Sequence, residues 1–411
     1  MSTALSRRAV LLGGGAALLP SPSRAQAVQP IRIGVLTDLA GVNADNTGPG
    51  MVSAVKMAIE DSGGNIGEVP IEIMVGDHQG RPDIGTNLAK QWYDTKGVDA
   101  IVDVTQTNIA LPISDITRDK NRVFFCGAAS MAFTNDRCTP NTVVWSHDSR
   151  TMSFGPSQTL VKEGFKSWYY LAVDYSFGRD LVDTSSKVVT QAGGNVLGVV
   201  RHPFGASDMS SFLLQAQSSG AQVLGLATVG DDVTTAIKQA HEFGLTTRGM
   251  KMAALFTIIN NIHALGLDVT QGLYVTESFY WDLNDSTRAW SARFFKINRK
   301  MPNLTQAAHY SAMLHYIKAL RAMAKSDPKN LHDGTAVVAK MKEIPTSDPI
   351  FGESYLRADG RHIHDFHLFQ VKAPTQSKSD WDIYNLIETF PSDTAYLPLS
   401  ESTCPLVKVA K

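Results

Sequence analysis

Short runs of β-branched and apolar residues alternate with helix-patterned segments along most of this chain, in two consecutive sets. The first set occupies residues 31–36, 71–75, 100–104 and 123–126, with helical spacing of apolar residues over 50–60, 83–93 and 111–119 between them. Runs this short and apolar on both faces must be covered on both faces, which a parallel sheet between two layers of helices achieves. The second set occupies 168–173, 196–200, 223–227 and 250–256, with starts about 27 residues apart, the length of one strand-helix unit. The expected class is therefore α/β, with two doubly wound, Rossmann-like parallel-sheet lobes. Residues 141–150 read as a crossing between the lobes. After the second set come a run at 273–276, helices over 286–300 and 305–325, and a hairpin across 351–369 that turns at Asp359-Gly360. Such sheets bind ligands outside the carboxyl ends of their strands, so two facing sheets predict a site in the cleft between them.

The rest of the chain narrows the classes of function. At 411 residues, 43% hydrophobic and 19% charged, it can bury two cores. A net charge of -1 and the lack of any Lys/Arg cluster interleaved with aromatics exclude nucleic acid as a partner. In the first 27 residues, Arg7 and Arg8 precede an apolar run at 9–19 and the small residues Ser23, Ala25 and Ala27. That is the pattern of a signal peptide cleaved after Ala25 or Ala27, and both the twin-arginine and the general secretory routes fit it. No later stretch reaches about 18 unbroken apolar residues, the length a membrane span requires. Of the three cysteines, Cys126 ends an apolar run and belongs in the core. Cys138 and Cys404 lie in polar, Pro-adjacent loops and are the expected disulfide, tying down the C-terminal tail in an oxidising compartment. No Gly-x-Ser-x-Gly, His-Glu-x-x-His or Cys-x-x-Cys is present, and Gly193-Gly194 sits in a turn, so neither catalysis nor a cofactor is expected. His362, His364 and His367 invite a metal reading. On a strand the first two share a face and the third lies opposite, so no metal is expected there either.

With these segments placed, the chain from about Pro30 onward resembles the leucine/isoleucine/valine-binding family of periplasmic binding proteins, type I fold. The resemblance rests on Ile31-Arg-Ile-Gly-Val-Leu-Thr-Asp-Leu-Ala-Gly41, the helix at 54–61, Pro112-Ile-Ser-Asp-Ile116, Asp174-Tyr-Ser-Phe-Gly178, residues 212–216, Ile237-Lys-Gln-Ala-His-Glu-Phe-Gly-Leu245 and residues 360–370, in that order. It implies a monomer in the periplasm that feeds an inner-membrane ABC permease. It also implies one lobe of 30–146 plus 276–344, a second of 147–275 plus 345–411, and three crossing segments about which the lobes close on a solute.

Family pocket positions fall on Thr105, Gln106, Thr107 and Asn108, which would hold a solute carboxylate, and on Ala128, Ala129 and Ser130, whose amides would bind the same anion. The aromatic cover falls on Phe177, beside Tyr175. Tyr280, in the aromatic and acidic stretch 277–282 near the last crossing, is a further candidate. Two positions depart from the family. Its ammonium-binding acid falls within 253–257, where Leu255 and Phe256 stand, and a neighbouring tyrosine falls on Val229. A desolvated ammonium without an acceptor costs several kcal/mol. Unless Asp231, Asp232 or Glu277 substitutes, these departures favour a non-amino organic acid, such as an aromatic or keto acid, over the branched-chain or other apolar amino acid that is the family's default. A sensor presenting its solute to a membrane receptor is the remaining alternative.

Overall fold

The computed structural model describes Met1 and residues 29–407. The signal-peptide reading of residues 1–27 lies outside this range apart from Met1. The first sheet holds β1 (Ile31–Thr37), β2 (Asn65–Ile66), β3 (Val69–Asp77), β4 (Ala100–Asp103), β5 (Val123–Cys126) and β6 (Thr142–Val143), in the order β2-β3-β1-β4-β5-β6. Apart from β2, its neighbours pair in parallel. Every residue of β4 and β5 is buried, as strands covered on both faces require, and this includes the polar Asp103 that ends β4. Helices α1 (Gly48–Asp61), α2 (Pro82–Gln91) and α3 (Thr107–Asp119) make the connections, and the later helices Asp285–Asn298, Leu304–Ser326 and Gly334–Glu343 return to cover this lobe.

The second lobe begins with α4 (Ser149–Lys162) and contains β7 (Ser167–Val173), β8 (Asn195–His202), β9 (Val223–Ala227), β10 (Lys251–Ala254) and β11 (Tyr274–Glu277). Between these strands run α5 (Ser176–Gln191), α6 (Ser210–Ser218), α7 (Asp231–Glu242) and α8 (Ile259–Leu265). Its parallel part has the order β11-β10-β9-β7-β8. The run at 196–200 forms β8, an edge strand, which explains why Leu197 and Val199 are exposed despite their apolar character.

The hairpin predicted across 351–369 divides between two sheets. Its first arm, β13 (Gly352–Leu356), pairs with β12 (Thr346–Asp348) and with the short β14 (His362–Ile363), in a small sheet beside the hinge. Gly360 makes the turn with a φ of 82°, a conformation that a side chain resists. The second arm, β15 (Phe366–Val371), joins β11 and β16 (Tyr384–Phe390) antiparallel, so the second lobe's sheet is mixed. Three segments connect the lobes: that between β6 and α4, that after β11, and that between β14 and β15. The boundary expected at 276 falls inside β11, which ends at Glu277. Cys138 and Cys404 are joined in a disulfide with a Cα–Cα separation of 5.6 Å, and Cys126 is a buried free thiol.

Hydrogen bonds cross the cleft. Ser130 Oγ donates to Asp180 Oδ2 at 2.9 Å, Asn260 Nδ2 donates to the Met301 carbonyl at 3.3 Å, and Asn303 Nδ2 donates to Asn260 Oδ1 at 3.3 Å. The lobes are therefore closed on one another.

Candidate ligand-binding site

A cavity lies between the lobes where the carboxyl ends of seven strands face each other. From the first lobe, the loop after β1 contributes Asn43 and Asn46, the turn after β4 contributes Thr105, Gln106 and Thr107, and the loop after β5 contributes Gly127 and Ala129. From the second, the segment after β7 contributes Tyr175 and Phe177, while Phe204, Val229 and Phe256 follow β8, β9 and β10. His147 comes from the first crossing segment. The space between these residues is small, far too little for a peptide.

The polar wall is the start of α3. Gln106, the residue before the helix, makes no side-chain cap, no acid stands in the first turn, and Ile109 and Ala110 already donate to the Gln106 carbonyl. The Thr107 and Asn108 amides therefore have no acceptor among the described residues. Thr105 Oγ1 and Gln106 Oε1, beside them, are buried without a hydrogen-bond partner. On the β1 side, the Asp38 carboxylate accepts from the Gly41 and Asn43 amides and folds the loop inward, while Thr305 Oγ1 donates to Asn46 Oδ1. That bond leaves the Asn46 amide N–H groups for the cavity.

This wall is held by strained backbone. Asp103 and Val104 have φ values of 87° and 62°, left-handed conformations that cost non-glycine residues on the order of 1–3 kcal/mol each. They turn the chain sharply out of β4, and the following three residues reach the cleft. Gly127 lies against this turn. Its N–H donates to the Asp103 carbonyl at 2.8 Å, and a Cβ there would stand 2.9 Å from Asp103 Oδ1. The Asp103 carboxyl is fully buried, and burial pushes its pKa up to about 8. The Thr37 and Thr47 hydroxyls temper that rise without making a hydrogen bond of normal geometry, and Asp38 adds to it. At neutral pH the group behind the helix start is thus mainly uncharged and does not repel an anion there.

The opposite wall is aromatic. Rings follow one another from His147 to Phe256 (5.1 Å), Phe177 (5.9 Å), Tyr175 (6.2 Å) and Phe204 (5.9 Å). No Asp, Glu, Lys or Arg lines the cavity among the described residues. His147 is neutral, its pKa lowered to about 3 chiefly by burial, with the Arg361 charge adding to the effect. Asp231 and Asp232 stand next door, in a pocket that shares Asn43, Phe204 and Val229 with the cavity. Burial raises the Asp232 carboxyl, while the Gly205 amide and His202 oppose that rise.

Of the residues expected at the site, Thr105, Gln106, Thr107, Ala129, Tyr175, Phe177, Val229 and Phe256 come together here. Asn108, Ala128, Ser130, Leu255 and Tyr280 do not line the cavity. The Asn108 side chain is exposed on the first turn of α3, and Ala128 and Leu255 are packed in the cores of their lobes. Ser130 Oγ caps a short turn through the Ala132 amide and reaches across to Asp180. The Tyr280 hydroxyl donates to the Trp381 carbonyl and accepts from the Ile383 amide, which fastens the second crossing to the C-terminal strands. Glu277 is buried beside Tyr384, and burial holds its carboxyl well above the usual range. Asn43, Asn46, Gly127, His147 and Phe204 line the cavity without having been anticipated. The rule that the loop after each strand faces the cleft would have found Asn43 and Phe204. The three tail histidines are not on one strand: His362, in β14, meets His364 at 3.0 Å, whereas His367 lies in β15 of the other sheet and bonds Thr389. Among the described residues no group of three or more His, Cys, Asp or Glu is placed to hold a metal.

A family model described as periplasmic binding protein matches residues 30–378. A crystal structure of a periplasmic binding protein from Burkholderia mallei is similar, with a TM-score of 0.88 at 42% identity over 92% of this chain and 100% of that one. A branched chain amino acid ABC transporter periplasmic ligand-binding protein from Burkholderia xenovorans is similar with a TM-score of 0.83 at 35% identity, over 92% and 100% of the two chains. A solute binding protein from R. palustris in complex with 4-hydroxybenzoate shares the fold, with a TM-score of 0.80 at 19% identity over 90% and 99%. Among curated sequences, Leu/Ile/Val-binding protein homolog 6 of Brucella suis is 23% identical over 228 residues, 54% of this chain and 57% of the relative's own length.

Proposed function

The chain belongs to the periplasmic binding protein family, and from that premise we propose that it captures a small organic acid with a flat apolar body for an ABC importer. The family consists of solute-binding proteins of transporters that work in the periplasm, and it is not a family of enzymes. One observation carries the choice of ligand. The cavity offers free amide and hydroxyl donors on one wall and a run of aromatic rings on the other, with no carboxylate in its lining to meet an ammonium group. A carboxylate at the start of α3 gains from the helix dipole and from donors that otherwise stay unpaired. An α-ammonium in the same space would lose its hydration for nothing of opposite charge. The R. palustris protein holds 4-hydroxybenzoate on the same fold, so an aromatic acid is a compatible occupant of such a cleft.

A second reading, a branched-chain amino acid, is favoured by the name of the Burkholderia xenovorans protein and by Asp231 and Asp232 in the adjoining pocket. Thermal-shift and calorimetric titration with arylcarboxylates, aryl keto acids and leucine separates the two. Aromatic acids are expected to stabilise the protein and leucine to do so weakly; stabilisation by leucine alone would overturn the organic-acid reading.

A further inference from the structure

The cavity contains one polar ring that the capture of a carboxylate by α3 leaves unused. His147 is nearly fully buried, its imidazole packs against Phe256, and its Nδ1 lies 2.7 Å from Ser146 Oγ. Its Nε2 makes no hydrogen bond among the described residues, although the ring lines the cavity. Which proton this nitrogen carries follows from its neighbour. Ser146 is completely buried, and its hydroxyl has no other hydrogen-bond partner among the described residues. If Nδ1 carried the proton and donated to Ser146, the serine's own hydrogen would be left buried without an acceptor, a loss of about 1–3 kcal/mol. If Ser146 donates to Nδ1, both groups are satisfied and the proton sits on Nε2. The second arrangement is the stable one, and it presents an N–H donor to the cavity.

We propose that His147 is a specificity-determining residue whose Nε2–H, fixed by Ser146, donates to a second oxygen of the ligand, so that the solute is an acid bearing a keto or hydroxyl oxygen besides its carboxylate. Gln106 Oε1, buried and without a partner in the same lining, supplies an acceptor when that oxygen is a hydroxyl with a proton to give. Asn46 supplies a further donor when it is a ketone. An acid lacking the second oxygen leaves the imidazole donor desolvated and unpaired.

This inference rests on the organic-acid reading, and the test keeps the two apart. Dissociation constants are measured by calorimetry for two matched pairs, benzoate with 4-hydroxybenzoate and 3-phenylpropanoate with phenylpyruvate. In the wild-type protein at least one oxygenated partner is expected to bind about tenfold or more tightly than its parent. In His147→Phe, which keeps an aromatic ring against Phe256 and removes the donor, that ratio is expected to fall to about twofold or less. His147→Gln, whose amide N–H replaces Nε2–H, is expected to restore much of it, which a purely structural role for the ring would not predict. If the acids bind but neither pair shows a preference, or if His147→Phe keeps the preference, the assignment of His147 is overturned and the organic-acid reading stands. If no acid binds, the organic-acid reading fails and takes this one with it.

Discussion

Replacing Asp103 with Asn tests the electrostatics behind the binding wall, because the two side chains have nearly the same shape and only one can ionise. The ordinary aspartate value is 3.8, and burial lifts that of Asp103 to about 8. Between those values the folded chain holds a proton that the unfolded chain releases. The folded state then binds more protons than the unfolded one, so stability falls as pH rises through this window and is level on either side of it. At 1.36 kcal/mol per pH unit, the interval from pH 5 to 7.5 corresponds to an upper figure of about 3 kcal/mol lost by the wild-type protein and kept by Asp103→Asn. Other titrating groups cancel when the two proteins are compared at each pH. Melting curves at pH 5, 6 and 7.5 are expected to open a gap of several degrees in Tm in favour of the variant. Ligand binding should follow the same titration. Above about pH 8 the wild-type affinity for an acid should fall as charge develops behind the start of α3, and the affinity of Asp103→Asn should not. Parallel Tm profiles from pH 5 to 7.5 would show that Asp103 is ionised in the fold and refute the argument.

Ser130→Ala removes the bond to Asp180 across the cleft and leaves a partly desolvated carboxyl unpaired. The closed state should weaken by about 1–2 kcal/mol, seen as roughly tenfold faster ligand release in stopped-flow fluorescence; an unchanged release rate would mean that the bond does not hold the lobes shut. Gly127→Ala places a methyl group 2.9 Å from Asp103 Oδ1 and 3.2 Å from Thr105 Cγ2, so destabilisation of about 1–3 kcal/mol and weaker ligand binding are expected by calorimetry. Cys404→Ser opens a link between residues 266 positions apart, and a loss of about 2–5 kcal/mol is expected, read as a lower Tm that reductant reproduces in the wild-type protein.

What the sequence conveys about this molecule is mostly what depends on period and burial. Runs such as 123–126 and 223–227 are apolar at successive positions because both faces of their strands are covered, and that signal survives without knowledge of any contact. The same signal fails at β8, where Leu197 and Val199 are just as apolar but lie on an edge: strand order is a property of the sheet and leaves little trace in a single strand. At the site, Leu255 and Phe256 show a sharper limit. Both were candidates, yet Leu255 packs into the lobe's core and Phe256 faces the cleft. Consecutive residues leaving a strand point to opposite sides, so the choice between them depends on where the strand ends, within one residue. Tyr280 carried the same aromatic signal as Phe177, but Ile383 and Trp381, about a hundred positions away, draw its hydroxyl out of reach of the cleft. Asp103 and Val104 lie beyond sequence reading of any kind. Aspartate tolerates a positive φ better than most residues but β-branched valine resists it, and nothing local announces two such residues in a row; the fold imposes the turn through β5 and Gly127, which hold the chain on one side, while α3 fixes it on the other. The least legible parts of the site are thus those where tertiary structure overrides local preference, and the buried carboxyl of Asp103 belongs to that group. Its protonation is a consequence of the turn, which is why a substitution that changes only its charge probes how the binding wall is built.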